Sequence, residues 1–314
     1  LALLAREGIA TDGYHSKSWE NLPTTPDIVI TVCGSAAGET CPAYLGPVVR
    51  THWGVEDPAH VTGTDEEIDA AFVKAYSILR ARIEAFLQHA DAHKIRTMFV
   101  LFDSCWDPDP ALGQQRAPLP GVHNSGWVQA PGMKALADAA QSPRLEAYVR
   151  GVVGRFAGDP RILAWDIWNE PDNGPDVALC DAEEWRIKGD LVRPLMVDAF
   201  GWARAADPIQ PLTSAIWIGD WSDHDKMTPL QQAQIDNSDI ITFHNYGGSE
   251  DFAKRVAWLE VYGRPIMCSE YMARPAGSTF QAILPIAQNH RIGMFCWGLV
   301  RGKTQTHLPW ANWI

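Results

Sequence analysis

Long apolar runs, paired cysteines and positive charge are all scarce in these 314 residues. No apolar stretch approaches the roughly 18 residues a helix needs to span a bilayer, which argues against a helical membrane protein and leaves no membrane partner expected. The six cysteines, at 33, 41, 105, 180, 268 and 296, have neither the close pairing of a zinc site nor the density of a disulfide scaffold, so they read as reduced thiols. Lys and Arg number 26 against 38 Asp and Glu, and the resulting net charge of −12 speaks against a nucleic-acid partner. A neutral sugar or a cation stays compatible with it. Signal-peptide anatomy is missing too: Leu1 opens inside a helical pattern with no Met, which reads as a fragment, a processed product or a fusion, with the cytoplasm as the expected location. Nothing in the pattern fixes an oligomeric state.

Apolar residues, by contrast, make up 46% of the chain, ample for a large core in one barrel or two ordinary domains. The 14 tryptophans serve either core filling or stacking on sugar faces. The stretch around which the rest is organised is Ile162-Leu-Ala-Trp-Asp-Ile-Trp-Asn-Glu-Pro171. Its near-continuous apolar run has the character of a strand buried on both faces, and it delivers Glu170 at its end. Pro265-Ile-Met-Cys-Ser-Glu270 repeats the pattern about a hundred residues later. Two strand-end glutamates on parallel strands imply two carboxyls facing one site at the C-terminal mouth of a barrel.

In chain order, a short helix over Leu1 to Glu7 is followed by a strand from Asp27 to Cys33, a Gly-rich turn at Gly34 to Gly38 and a second strand from Val48 to Trp53. Thr64 and Glu67 form a capping box that opens a long helix to about residue 88. A strand is expected at Thr97 to Asp103, then a long Pro- and Gly-rich excursion from Ser104 to Gly132 that suits a lid or cleft wall. Helices near 143–157, 183–206, 252–262 and 280–288 alternate with strands at Leu212 to Ile218, Asp239 to Tyr246, Pro265 to Glu270 and Gly293 to Leu299. Such alternation implies parallel βα units.

The first 88 or so residues resemble the low-molecular-weight phosphatase-like arsenate reductases, through His15-Ser-Lys-Ser-Trp19, the run from Ile30 to Pro42 and His52-Trp-Gly-Val-Glu-Asp-Pro58. The oxyanion-binding loop on which that family's chemistry depends is not in the sequence, so Asp57, which matches the family's general acid, has no nucleophile to serve. From about residue 89 the chain resembles a clan A glycoside hydrolase similar to the family 5 cellulase-like retaining enzymes. The likeness rests on Trp168-Asn-Glu-Pro171, His244-Asn-Tyr246, Ser269-Glu270-Tyr271 and Trp297. By that resemblance the six later strands are the third to eighth of a (β/α)8 barrel, and the first two are missing.

The arsenate reductase-like segment holds two βα units, so the expected fold is α/β: a single hybrid TIM-like barrel over 1–314 with its first two strands supplied by a flavodoxin-like fragment. The rival is two separate incomplete lobes. The resemblance further implies a retaining β-glycosidase without metal or organic cofactor and with carbohydrate as partner. It casts Glu170 as acid/base and Glu270 as nucleophile. Asn169 would bond the sugar's 2-hydroxyl, His244 and Tyr246 would line the mouth with Tyr246 donating to Glu270, and Trp297 would floor the sugar site. Trp127, Trp106 and Trp217 are read either as cleft wall or as packing, Trp168 as core and Asp166 as a buried structural carboxylate. Arg50, near the end of the second strand, is the candidate for the arginine that supports the nucleophile in the family. A catalytically weak or silent fusion that binds carbohydrate or is purely structural is the alternative, and an arsenate reductase is disfavoured.

Overall fold

A computed structural model describes residues 28–31, 49–52, 63–104, 107–110, 127–173 and 182–297. The expected helix at Leu1 to Glu7, the turn at Gly34 to Gly38, Cys33, Cys41, Asp57, Cys105, Trp106 and Cys180 lie outside these residues. The chain divides into two compact units, residues 1–54 and 55–314, and each is described by itself.

In the first unit β1 (Ile28–Thr31) and β2 (Val49–His52) pair in parallel, with Ile28 opposite Val49 and Thr31 opposite His52. Both fall inside the runs expected from sequence. A parallel pair needs a crossover connection and cannot be joined as a hairpin.

The second unit opens with α1 (Asp65–Ala92), whose N-terminus is closed by the expected capping box of Thr64 and Glu67. Ile83, Leu87 and Ala90 follow one another at helical spacing and turn a single face inward; Leu87 is fully buried in a cluster with β3 (Thr97–Asp103). Next come the short α2 (Met133–Leu136) and α3 (Ser142–Arg155), whose Leu145, Val149, Val152 and Val153 form a similar stripe. β4 (Ile162–Asn169) is buried on both faces from Ala164 onward, as its apolar run implies. α4 (Ala182–Ala205) presents Val192, Met196, Ala199, Phe200 and Ala203 to the same core.

After Thr213 the expected long strand stops: β5 is only Leu212–Thr213. The Ser214 N–H turns to Ser238 Oγ at 3.2 Å, and Gln234 Nε2 donates to the Ala215 carbonyl at 2.7 Å. Side chains thus take the backbone groups that a ladder would have used. An isolated parallel bridge, Ile216 to Phe243, carries the connection on to β6 (Ile241–His244). Between them lies α5 (Pro229–Asn237), which the sequence reading omitted although Thr228 and Gln231 form a capping box with Pro229 at the first helical turn. α6 (Ser249–Glu260), β7 (Ile266–Tyr271), α7 (Phe280–Asn289) and β8 (Gly293–Cys296) complete the alternation. The pairings between these strands are parallel, in the orders β3-β4-β5 and β6-β7-β8. This is an α/β arrangement of TIM-barrel type, with a second core under β6–β8 centred on Phe243, Phe252, Val256 and Ile283.

Candidate active site

The C-terminal ends of β4, β6 and β7 meet at one place, where Glu170, His244 and Glu270 gather. β4 places Asn169 at its final position and Glu170 directly after it. Glu170 takes φ +41°, a left-handed conformation a non-glycine residue seldom adopts, and it is buried. The strand cannot continue, and the turn that follows closes through the Asn173 N–H on the Glu170 carbonyl at 2.9 Å.

On β7 a register slip does the positioning. Phe243 of β6 faces Cys268, whereas the next residue, His244, faces Glu270, so Ser269 is an extra residue on β7. A bulge of this kind re-aims the side chain that follows it, here the Glu270 carboxylate, toward β6. Behind it, Cys268 is fully buried and its thiol sits 3.1 Å from the Glu270 carbonyl; burial pushes that thiol up, leaving it protonated and unreactive.

His244 stands between the two carboxylates. Its Nδ1 is 2.6 Å from Glu170 Oε1 and 3.6 Å from Glu270 Oε2. One ligand atom from each of Glu170, His244 and Glu270 lies within 4.8 Å of the other two. The Tyr246 hydroxyl donates to Glu270 Oε2, and Asn173 Nδ2 donates to Glu170 Oε2. Asn169 Nδ2 reaches Asp103 Oδ2 at 3.4 Å across the β3–β4 pair.

Burial and like charge compete with the histidine over the protons. Burial raises the Glu270 carboxyl, the charge on His244 and the Tyr246 hydrogen bond oppose it and Glu170 adds to it, leaving the group at about 7. For His244, burial favours the neutral ring, yet Glu270 and Glu170 outweigh it and lift the imidazole to about 9. Burial takes Tyr246 well above its ordinary value, so it is a donor throughout. Asp166, one layer down on β4 and 2% exposed, is lifted to about 7 mainly by burial.

Glu170, His244 and Glu270 also form a set of potential metal ligands among the described residues. Ligand atoms around a tetrahedral zinc sit roughly 3.3 Å apart, from metal–ligand distances near 2.0–2.1 Å. The 2.6 Å contact between His244 and Glu170 is shorter than that and is a hydrogen-bond distance, so as placed the pair shares a proton.

Trp127 and Trp297 meet edge to face with ring centroids 5.9 Å apart, the first from the excursion after β3 and the second immediately after β8. Trp168 is fully buried and donates to Ser104 Oγ at 2.8 Å, a core role. The Trp217 indole donates to Asp172 Oδ1 at 2.6 Å; burial raises Asp172 to about 6 while this bond opposes it. A cavity of about 210 Å³ opens against Asp172, Asp220 and Lys226, and neither glutamate lines it. Arg50 lies in β2 by its backbone, paired with Val29, and its side chain lies outside the described residues. Sequence reasoning missed Asn173 and Lys188. Asn173, three residues past Glu170, carries a weak turn signal; Lys188, in mid-helix, carries none.

Residues 121–313 match the family model described as cellulase, glycosyl hydrolase family 5. The chain belongs to glycosyl hydrolase family 5. The N-terminal part is similar to something else: it is 44% identical over 62 residues to the arsenate reductase of Halalkalibacterium halodurans, a match covering 20% of this chain and 44% of that protein. The arsenate reductase of Bacillus subtilis is 40% identical over 62 residues, with the same shares covered. This family 5 chain is therefore a chimera of two parts, and it spans less than half the length of the curated relatives it matches. Among solved structures, an endogalactoceramidase shares 18% identity at a TM-score of 0.49, covering 87% of this chain and 70% of that one. A β-1,4-mannanase from the sea hare Aplysia kurodai shares 18% identity at a TM-score of 0.43, covering 72% and 68%. No helix of the described residues is long and apolar enough to cross a membrane.

Proposed function

We infer that this family 5 chain is a retaining β-glycosidase acting on β-linked carbohydrate by double displacement, with Glu170 as acid/base and Glu270 as nucleophile. The observation that carries the reading is the closeness of the two carboxylates: an oxygen of one lies within 4.8 Å of an oxygen of the other. Retaining enzymes hold their carboxyls about 5–5.5 Å apart, whereas inverting enzymes leave roughly 6.5–9.5 Å for a water.

Glu270 attacks the anomeric carbon as the glycosidic C–O bond breaks, and the leaving oxygen takes the proton shared by Glu170 and His244. A water then attacks the same carbon. Glu170 removes its proton, the bond to Glu270 breaks, and the sugar leaves with its β configuration restored. Tyr246 keeps Glu270 ionised for the attack, and charge on His244 opposes the repulsion between two buried carboxylates. Asn169 bonds the sugar's 2-hydroxyl, and Trp127 and Trp297 form an aromatic corner for the sugar ring.

The barrel is a hybrid in this reading, with the segment that carries β1 and β2 supplying its first two strands. Supporting it, β1 and β2 are a parallel pair, and β3–β8 among the described residues are two strands short of eight. Nuclear magnetic resonance of the first-formed product from aryl β-glycosides is the test. A β anomer ahead of mutarotation is expected; an α anomer refutes retention, and no turnover across a gluco, manno, galacto and xylo panel leaves a silent fusion.

A further inference from the structure

We propose that Lys188 is a positioning residue for the acid/base carboxylate, gathering three chain segments into the frame that holds Glu170 against His244. The proposal rests on the reading of Glu170 given above. An ammonium group has three N–H donors, and among the described residues Lys188 Nζ donates to the Ser104 carbonyl at 2.7 Å, to Gln129 Oε1 at 2.9 Å and to the Asn173 carbonyl. A lysine serving only solubility snorkels toward water. This one turns its head inward from α4, and Gln129 is itself buried.

Each acceptor leads to Glu170. Asn173 donates its backbone N–H to the Glu170 carbonyl at 2.9 Å and its side-chain Nδ2 to Glu170 Oε2, so fixing the Asn173 carbonyl fixes both ends of the glutamate. Ser104 takes the Trp168 indole N–H on its Oγ and donates its own N–H to the Asn169 carbonyl at 3.2 Å, which holds the two residues just before Glu170. Gln129 ties in the excursion after β3, whose Ala130 exchanges two backbone hydrogen bonds with Asp103. Glu170 needs such a frame because its left-handed φ of +41° persists only where the surroundings over-determine it.

The test is leaving-group dependence. In Lys188→Met, kcat/KM for alkyl β-glycosides or disaccharides, which need protonation, is expected to fall about 100-fold, while 2,4-dinitrophenyl glycosides, which do not, change less than about threefold. Asn173→Ser, which shortens the side chain on Glu170 Oε2 and leaves Lys188 in place, is expected to show the same selective loss and serves if Lys188→Met fails to fold. Equal loss on both substrate classes, or no loss in either folded variant, overturns the proposal. If the parent protein turns over no glycoside, the glycosidase reading fails and the positioning is read without substrate, from the ¹⁵N titration of the His244 ring, which faces Glu170, Glu270, Asp166 and Tyr246. A midpoint that drops toward the ordinary histidine range in the folded variant supports the frame, and an unchanged midpoint overturns it.

Discussion

Replacing Tyr246 by Phe removes a single oxygen from the site and leaves the ring that fills the space. The hydroxyl donates to Glu270 Oε2 and stabilises only the ionised carboxylate, and with this bond in place burial leaves the group raised to about 7. A hydrogen bond to a charged group contributes about 1.5–3 kcal/mol, and about 1.4 kcal/mol moves a pKa by one unit. Deleting it should therefore raise Glu270 by a further one to two units, roughly. In the proposed mechanism Glu270 attacks only when ionised, so the acidic limb of kcat/KM is expected to move to higher pH by the same amount. Near pH 6 the variant is then slower by about tenfold or more, and by about pH 9 most of the rate returns. The assay is kcat/KM on an activated aryl β-glycoside from about pH 5 to about pH 10, with both limbs fitted. An acidic limb that stays in place, moves to lower pH, or gives way to a uniform loss at every pH refutes the assignment of Tyr246 to Glu270.

Three further outcomes follow from the same contacts. Asp166, lifted by burial to about 7, binds its proton in the folded state over a range where the unfolded chain has lost it, so its contribution is full below about pH 4 and lost as pH rises through about 7. His244 acts in the same direction between its ordinary value of about 6.5 and about 9. Urea midpoints should accordingly fall from about pH 5 to about pH 9, and Asp166→Asn should flatten the lower part of that slope, raising stability near pH 8 by at most about 4 kcal/mol; a midpoint that rises with pH contradicts this. Leu87→Ala, at a fully buried position of α1, should cost about 2–5 kcal/mol in a denaturant titration, whereas Val73→Ala on the exposed face of the helix should change stability by less than about 0.5 kcal/mol. Equal effects would mean that α1 is not part of the hydrolase core. Trp127→Ala should raise KM several-fold with both pH limbs unmoved, and a displaced limb would place Trp127 in the proton network instead.

The sequence carried the fold wherever the signal was local. Thr97–Asp103 is a strand with the bounds its apolar run implies, and the Thr64–Glu67 box set the start of α1. The signal failed where partners distant in sequence decide the outcome: Ser214 and Ala215 leave β5 because Ser238 and Gln234, about twenty residues on, take their backbone groups. α5 was missed although its Thr228-Pro229-Leu230-Gln231 start carries a cap, since its burial stripe is short. At the site, the two glutamates were legible because each comes at the end of a short apolar run, and His244 and Tyr246 were legible through the likeness of His244-Asn-Tyr246 to the family. The extra Ser269 that turns Glu270 toward His244 was not, because a bulge shows only against the register of β6. Lys188 and Asn173 matter through where α4 lies relative to the end of β4, and spacing along the chain does not encode that.

The central claim is that Glu270 forms a covalent bond to the sugar while Glu170 handles the proton. Incubation with 2-deoxy-2-fluoro-β-glycosyl fluorides of the gluco and manno series, followed by intact-mass measurement and peptide mapping, tests it most directly. One fluorosugar added per chain is expected, attached to the peptide carrying Glu270 and absent in Glu270→Ala. A label on Glu170 or Asp166, or turnover of β-glycosides with no trapped intermediate at all, would contradict it.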